Sequence, residues 1–265
     1  MRVPKFNVLG IFFGEQLHER FYSEHHQRPK DTSLSSLERT LKYLSESVGF
    51  NAITYMAETF QNIPLVSNYF PQIALSVGGG NPPQLPEEVP EFPEVSSEMI
   101  YHIDEPELAP MDMVQLNDWV TKHEAIGHNV VVNFCGLRRA KNDIVYAKEY
   151  LSKYTLKRTS IDLYPSYYDG TDWDFASRYL REIQPFIQGK FGAIIQAFGK
   201  PGVWRYPTID EIVKLAWECK EAGAEELHFF LWNSAYTGPA GYDELLTGLD
   251  VLPLEYHRLI SDMRG

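Results

Sequence analysis

Cysteine and basic residues are scarce in this 265-residue chain. Its only two cysteines, Cys135 and Cys219, fall in a predicted strand and in a distant predicted helix. We therefore expect no disulfide between them, and the reducing cytoplasm is the predicted location, with secretion as the alternative if a leader has been removed. Lys and Arg number 24 against 36 Asp and Glu, which gives a net charge of -12. That charge disfavours nucleic acid and anionic membrane surfaces as partners, because both would repel it.

Several common sequence signatures are also missing. The apolar stretch from Val8 to Phe13 is too short to span a membrane, and no small-residue cleavage site accompanies it. Without Gly-x-Ser-x-Gly, serine nucleophile chemistry has no support. Without His-Glu-x-x-His or a His-x-His on the first strand, we expect no metal and no cofactor. A doubly wound open sheet, the alternative fold, would show Gly-x-Gly-x-x-Gly after its first strand, and the chain lacks it.

Eight short apolar strands alternate with amphipathic helices along the chain. The predicted strands cover residues 6–13, 51–57, 72–77, 99–104, 129–135, 157–163, 193–198 and 226–232. The predicted helices cover residues 34–48, 111–126, 139–153, 172–187, 208–222 and 255–264. Gly49 and Gly223 end two of these helices, and Thr208 with Glu211 forms a capping box. The alternation and the length predict an α/β fold, a single (β/α)8 TIM barrel over residues 1–265.

One segment departs from this alternation. A glycine triplet, Gly78-Gly79-Gly80, follows the third strand, and residues 81–93 are rich in proline. Proline interrupts helices, so the third helix is expected to be replaced by an extended loop. Such a loop either shapes the active-site cleft or is a tolerated surface excursion.

Polar and aromatic residues occur at nearly every predicted strand end. In a barrel of this kind the active site lies at the C-terminal ends of the strands. A barrel with a purely structural role needs no carboxylates at its strand ends, so the concentration of polar and aromatic residues there predicts a functional site. The residues are Glu15, Glu58, Gly78-Gly79, Asp104-Glu105-Pro106, Asn133 to Cys135, Asp162 to Tyr164, Gln196 to Phe198, and Trp232-Asn233.

The adjacent carboxylates Asp104 and Glu105 at the end of strand four are the main catalytic candidates. Two neighbouring carboxylates cannot both ionise freely, so one pKa is expected to rise. A glutamic acid with a raised pKa suits a general acid that protonates a departing glycosidic oxygen. The alternative is structural: either residue caps the next helix or pairs with Arg138 or Arg139.

Three segments of the chain resemble a broad group of glycoside-hydrolase-like barrels that carry Asp-Glu-Pro on strand four. They are Ile103-Asp104-Glu105-Pro106, Ile161-Asp162-Leu163-Tyr164-Pro165 and Ile195-Gln196-Ala197-Phe198-Gly199. The Asp-Glu pair is similar to that of family 20 and family 123 hexosaminidases. The resemblance implies a β-linked sugar substrate, N-acetylated if the substrate's own acetamido group is the nucleophile. It further implies Glu105 as acid/base, Asp104 as the residue orienting the acetamido group, and Tyr164 and Trp232 as sugar contacts.

The sequence departs from the related clan that uses two glutamates. Members of that clan end strand four in Asn-Glu-Pro and present a nucleophilic Glu on strand seven, whereas this chain has Asp104 and Gln196 at those places. An amide is no ordinary nucleophile, which puts the two-carboxylate retaining mechanism in doubt. Asp162 stays open as a base that activates water in an inverting reaction.

The remaining candidates have both a substrate-binding and a structural interpretation. Asn133 either bonds a sugar hydroxyl or caps a turn, and Glu58 either binds substrate or forms an ion pair. Core packing is the alternative for Trp232, and hydrogen bonding inside the barrel is the alternative for the buried polar candidates. The substrate-binding set is Tyr164, Gln196, Trp232, Asn233, Glu58, Asn133, Phe198 and His102.

Two other functions stay open besides a glycosidase. A carbohydrate-binding barrel that has lost catalysis is favoured by Gln196, which replaces a nucleophile. A metal-dependent isomerase or lyase would use His102, Asp104, Glu105 and Asp162 as ligands. The expected partner in the first two cases is a carbohydrate, and the sequence leaves the oligomeric state open.

Overall fold

The computed structural model describes residues 2–14, 34–56, 60–79, 91–107, 111–136, 143–167, 169–232, 235–237, 244–246, 248–249 and 252–265. Eight parallel strands form a closed barrel, because β1 pairs with β8 as well as with β2. This confirms the predicted (β/α)8 fold. The strands are β1 Val8–Gly14, β2 Ala52–Met56, β3 Gln72–Gly79, β4 Glu98–Asp104, β5 Asn129–Cys135, β6 Arg158–Leu163, β7 Lys190–Gln196 and β8 Glu226–Phe230.

Helices lie between the strands and cover the barrel. Two short antiparallel hairpins, Ser166–Tyr167 with Gly170–Thr171 and Ala235–Thr237 with Glu244–Leu246, follow β6 and β8. Within the described residues, no helix is long and apolar enough to cross a membrane. The helices are α1 Leu34–Lys42, which continues as a π-helix over Tyr43–Val48, α2 Ile63–Ser67, α3 Met113–Ala125, α4 Asp143–Lys153, α5 Trp173–Ile183, which continues as a 3-10 helix over Gln184–Phe186, α6 Ile209–Glu221 and α7 Leu254–Ser261.

Local sequence signals explain several helix ends. The predicted capping box is present, since the Thr208 hydroxyl accepts from the Glu211 N–H and the Glu211 carboxylate accepts from the Thr208 N–H. Gly49 ends the first helical segment in the left-handed conformation, at φ 92°. Pro185 lies where α5 tightens into a 3-10 turn. The five-residue α2 was not predicted because its apolar pattern is too short, and most of the expected proline-rich loop lies outside the described residues.

Side chains alternate between the helix layer and the barrel interior along each strand. On β1, Leu9, Ile11 and Phe13 belong to the main core beneath the helices, whereas Phe12 belongs to a separate cluster inside the barrel. At the N-terminal end of the barrel, buried Arg158 is paired with Glu98 at 3.0 Å and with Glu226 at 3.3 Å. This ion-pair cluster occupies the end of the barrel opposite to the predicted site. Both cysteines are buried and free.

Candidate active site

Neighbouring strands bring the three predicted catalytic carboxyls to the same end of the barrel. Asp104 ends β4 and Glu105 follows it, while Asp162 lies near the end of β6. The strand between them aligns Asn133 with Asp104 and Cys135 with Asp162. The three carboxyls therefore surround the C-terminal end of β5, where enzymes of this fold carry their active sites.

A chain of hydrogen bonds orients Asp104. The Asn133 Nδ2 donates to Asp104 Oδ1 at 2.9 Å, and the Ser160 hydroxyl donates to Asn133 Oδ1 at 2.9 Å. Asn133 is fully buried. Because its carbonyl oxygen is taken by Ser160, its amide N–H must point toward the carboxylate. Asn133 thus has a positioning contact to Asp104, in place of the local turn capping that was its alternative.

Glu105 has an unusual backbone conformation. Its φ is 44°, the only positive φ of a non-glycine residue among the described residues. Its N–H donates to the Asn133 carbonyl at 2.9 Å, which fixes it beside β5. Left-handed backbone in a residue with a side chain costs about 1–3 kcal/mol, and such residues cluster at functional sites. Glu105 is partly exposed, as is Asp104, whereas Asp162 is buried.

Asp162 is the buried member of the carboxyl group. Burial raises its pKa well above the ordinary range, and the nearby charges of Glu105 and Asp104 raise it further. Its side chain lies close enough to those of Glu105 and Asn133 for both to influence its pKa. Asp162 in turn lies near Tyr164, and the pKa of Tyr164 is raised by burial and then by the same carboxyls. The protonated form of Asp162 is therefore favoured, in the neighbourhood of Glu105.

Glu107 was not predicted as functional, and Cys135 was named only for its place at a strand end. The Glu107 carboxylate accepts a hydrogen bond from the Cys135 N–H, which brings a fourth carboxyl close to the group. The Cys135 thiol is buried, and its pKa is raised first by that burial and then by the surrounding carboxyls. Glu107 stands two residues after Glu105, so the signal for it was its place in the same strand-end loop.

An aromatic wall lines the same end of the barrel next to the carboxyls. It consists of Phe12, Tyr164, Phe198, Trp204 and Phe230. The centroid of the Phe198 ring lies 5.1 Å from that of Tyr164, 5.4 Å from that of Trp204 and 5.5 Å from that of Phe230. The centroids of the Phe12 and Phe230 rings are 5.3 Å apart. Phe230 and Trp204 are partly exposed, whereas the other three are buried. Tyr164 and Phe198 were predicted as site residues from the sequence, whereas Phe230 and Trp204 were not.

Gln196 and Trp232 make structural contacts. These agree with the structural alternatives given for them above, hydrogen bonding for Gln196 and core packing for Trp232. The Gln196 side chain accepts from the Ser166 N–H at 2.9 Å, and its Nε2, which has two N–H donors, lies within hydrogen-bond distance of the backbone carbonyls of Ser166, Phe198 and Arg205. It therefore ties the loops after β6 and β7 together. Trp232 packs in the main core, with its ring 5.2 Å from that of His257 on α7.

His102 lies in the barrel interior, two residues before Asp104 on β4. It is buried against Phe12, with ring centroids 5.5 Å apart. Burial lowers its pKa and His228 lowers it further, whereas Asp104 opposes this change. His102 is therefore neutral at physiological pH. The remaining predicted positions Glu15, Glu58 and Asn233, and the proposed ion-pair partners Arg138 and Arg139, lie outside the described residues.

The fold and the site together define the class of the molecule as a (β/α)8 barrel with carboxyls and aromatic rings at its C-terminal end. No protein-family model matches the sequence, and no curated protein matches it. In the part of the chain that the structure describes, no three His, Cys, Asp or Glu side chains are grouped so that they could hold a metal ion.

Solved structures match the chain in fold at low identity. A Bacteroides thetaiotaomicron protein provisionally described as an alpha-L-fucosidase is 9% identical, with a TM-score of 0.63 over 100% of this chain and 97% of that one. An Aureobasidium namibiae GH128 (subgroup VI) exo-beta-1,3-glucanase is 9% identical, with a TM-score of 0.52 over 92% and 88%. The carboxyl transferase domain of Rhizobium etli pyruvate carboxylase is 11% identical, with a TM-score of 0.51 over 97% and 46%.

These similarities establish the fold and no more, because unrelated chemistries share this barrel. The neighbours do include glycosidase barrels, in agreement with the broader part of the resemblance described above. The narrower resemblance to family 20 and family 123 hexosaminidases stays a prediction.

Proposed function

We propose that this chain is a glycoside hydrolase that cleaves a β-linked, N-acetylated sugar. The observation that carries the proposal is the grouping of Asp104, Glu105 and Asp162 at the C-terminal end of the barrel. Glycosidic bond cleavage needs one carboxyl that keeps a proton and a second group that stabilises the developing positive charge at the anomeric carbon. The buried Asp162, whose pKa Glu105 helps to raise, supplies the first condition, and the oriented Asp104 supplies the second.

Glu105 is the general acid in this proposal. Adjacent carboxyls do not both ionise freely, so the pair of Glu105 and Asp162 retains a proton near neutrality. Glu105 is the member of the pair that substrate can reach. It gives its proton to the glycosidic oxygen as the bond to the anomeric carbon breaks, and in the second step it takes a proton from the attacking water.

Asp104 is the residue that aligns the internal nucleophile. With Asn133 holding one oxygen at 2.9 Å, its carboxylate can accept a hydrogen bond from the acetamido N–H of the substrate. The acetamido oxygen then forms a bond to the anomeric carbon while the leaving group departs. This route needs no nucleophile on strand seven, where Gln196 is occupied by backbone groups.

The raised pKa of Asp162 argues against an inverting reaction with Asp162 as base, because a carboxyl that keeps its proton cannot take one from water. We therefore assign Asp162 to keeping a proton on the pair and not to activating water.

Chromogenic glycosides test the proposal. Wild type and the variants Glu105→Gln and Asp104→Asn are assayed on N-acetyl-β-glucosaminides and β-glucosides. Removing a general acid is expected to lower kcat/KM on the cleaved substrate by about 10²–10⁴-fold. Asp104→Asn is expected to reduce turnover of the N-acetylated substrate more than that of the unacetylated one. Glu149→Gln is the matched control, because Glu149 lies on α4 in an exposed pair with Lys153.

A carbohydrate-binding barrel without catalysis is the second candidate. The Gln196 amide favours this candidate, because its oxygen and nitrogen both bond to loop backbone. The end of strand seven then presents no reactive group to a ligand. Sugar binding with no turnover in wild type would support this candidate and reject the hydrolase. Turnover that survives Glu105→Gln unchanged would reject the assigned acid.

A further inference from the structure

Phe230 and Trp204 are the parts of the aromatic wall that a ligand can reach. Both are partly exposed, while Phe12, Tyr164 and Phe198 are buried behind them. The Phe230 ring packs against those of Phe12 and Phe198, with centroid distances of 5.3 Å and 5.5 Å. A ring that already packs against neighbours on several sides loses little side-chain entropy when a ligand binds. Such rings can therefore form a preformed binding surface.

Tyr164 makes the aromatic wall continuous with the carboxyl group. Asp162 lies near enough to help raise the pKa of Tyr164, and the centre of the Tyr164 ring lies 5.8 Å from that of Phe230 and 5.1 Å from that of Phe198. A ligand resting on Phe230 would therefore lie near the carboxyl group, of which Asp104 and Glu105 are partly exposed. An apolar surface beside a hydrogen-bonding group fits a ligand with one apolar face and a polar rim.

We propose that Phe230 and Trp204 bind the apolar face of a hexopyranose ring and so set which sugar occupies the site next to Glu105. A pyranose carries its axial C–H groups on its faces and its equatorial hydroxyls around its rim. The faces would pack on the two rings, and the rim would meet the carboxyls. Lys200, whose Nζ lies 5.9 Å from the centre of the Trp204 ring, would donate to a hydroxyl at the outer edge.

This assignment replaces Trp232, the residue that the sequence resemblance implied as a sugar contact. The Trp232 ring packs against His257 at 5.2 Å and Tyr43 at 6.0 Å, between the barrel and the helix layer. The ring-binding role thus passes to the phenylalanine two residues earlier and to a tryptophan in the loop after β7. The inference rests on the proposed function, because it takes the ligand to be a sugar.

Calorimetric titration in a Glu105→Gln background tests the assignment without turnover. Chitotriose and laminaritriose are the probes. Phe230→Leu and Trp204→Leu are expected to raise Kd of the bound sugar about tenfold or more, since each removes an aromatic contact face. Phe230→Tyr and Trp204→Phe keep a ring and should stay within about threefold of the parent. Near-ultraviolet circular dichroism and Tm show whether each variant is folded.

Trp232→Phe is the matched control and should leave Kd unchanged. The assignment is overturned if both leucine variants bind as tightly as the parent, or if Trp232→Phe weakens binding as much as they do. The proposed function fails in a different way, when neither sugar binds the Glu105→Gln parent and wild type turns over no glycoside. In that case the ring-binding assignment is rejected with it.

Discussion

Asp162 lowers the free energy of unfolding at neutral pH, whereas a neutral residue of the same shape would not. Its carboxyl is buried beside Glu105 and Asp104, so ionising it in the folded state is unfavourable. In the unfolded chain the same group ionises freely, with a pKa of about 3.9. A folded-state pKa above that value means that Asp162 lowers stability as pH rises from about 4 through its folded pKa.

Asp162→Asn is therefore expected to raise the free energy of unfolding at pH 7. The amide has the same shape and carries no charge to desolvate, and the gain should shrink as pH approaches about 4. Urea unfolding at pH 7 and pH 4 measures both effects. Asp118→Asn is the control, because Asp118 is exposed and paired with Lys122 on α3. Lower stability of Asp162→Asn at pH 7 would contradict the prediction.

At the level of elements, strand positions followed from the sequence where apolar runs begin and end sharply. The bounds of β5, Asn129–Cys135, were predicted correctly at both ends. The seventh strand was predicted over residues 193–198 and lies at Lys190–Gln196. Its start was missed because Lys190, which is exposed, and Gly192 are not typical strand residues. Its end was predicted too late because Ala197 and Phe198 continue the apolar run beyond the paired residues.

The site was predictable only where a single strand carries it. Asp104 and Glu105 stand together at one strand end, and their place in the barrel followed from the strand count. Trp204 could not be found in this way, because it lies in a loop whose position depends on Gln196 bonding to the Arg205 carbonyl. Such contacts between distant loops leave no periodic pattern in the sequence.

The pairing of β1 with β8 depends on a glycine at one position inside the barrel. Gly10 is aligned with His228, and a Cβ at residue 10 would lie 2.0 Å from the His228 Nδ1. No carbon and nitrogen atoms approach so closely without a bond, so one group would have to move. β1 closes the barrel here because residue 10 has no side chain.

Gly10→Ala is expected to lower the free energy of unfolding by about 1–3 kcal/mol through overpacking. The double variant Gly10→Ala/His228→Ala removes the clash and should recover part of this loss relative to the sum of the two single variants. Gly192→Ala is the matched control, since its Cβ would stand 3.5 Å from the nearest atom, an ordinary contact. Equal losses in Gly10→Ala and Gly192→Ala would reject the explanation. Urea unfolding gives all four values.

The whole molecule contains histidines that folding keeps neutral. Burial lowers the pKa of His102, and His228 adds to this against the attraction of Asp104. Burial also lowers the pKa of His128, which stacks on Tyr101 with ring centroids 4.0 Å apart. In the unfolded chain these groups have a pKa of about 6.5. Their contribution to stability is full above that pH and is lost as pH falls toward their folded pKa values.

Stability is therefore expected to fall as pH decreases below about 6.5. Asp162 acts in the opposite direction, so the histidine effect is measured most clearly in the Asp162→Asn background. The free energy of unfolding in urea is compared between pH 7.5 and pH 5, and His128→Gln should give a shallower decline. A profile that rises toward pH 5 in that background would exclude the proposed contribution of the histidines.

The left-handed backbone at Glu105 has a consequence for laboratory evolution. Glycine adopts a φ of 44° without steric penalty, whereas glutamate does not. Repeated selection for heat resistance alone would therefore enrich Gly at position 105, while selection on product formation would retain the acid. The residue recovered there would report which of the two demands a given selection had imposed.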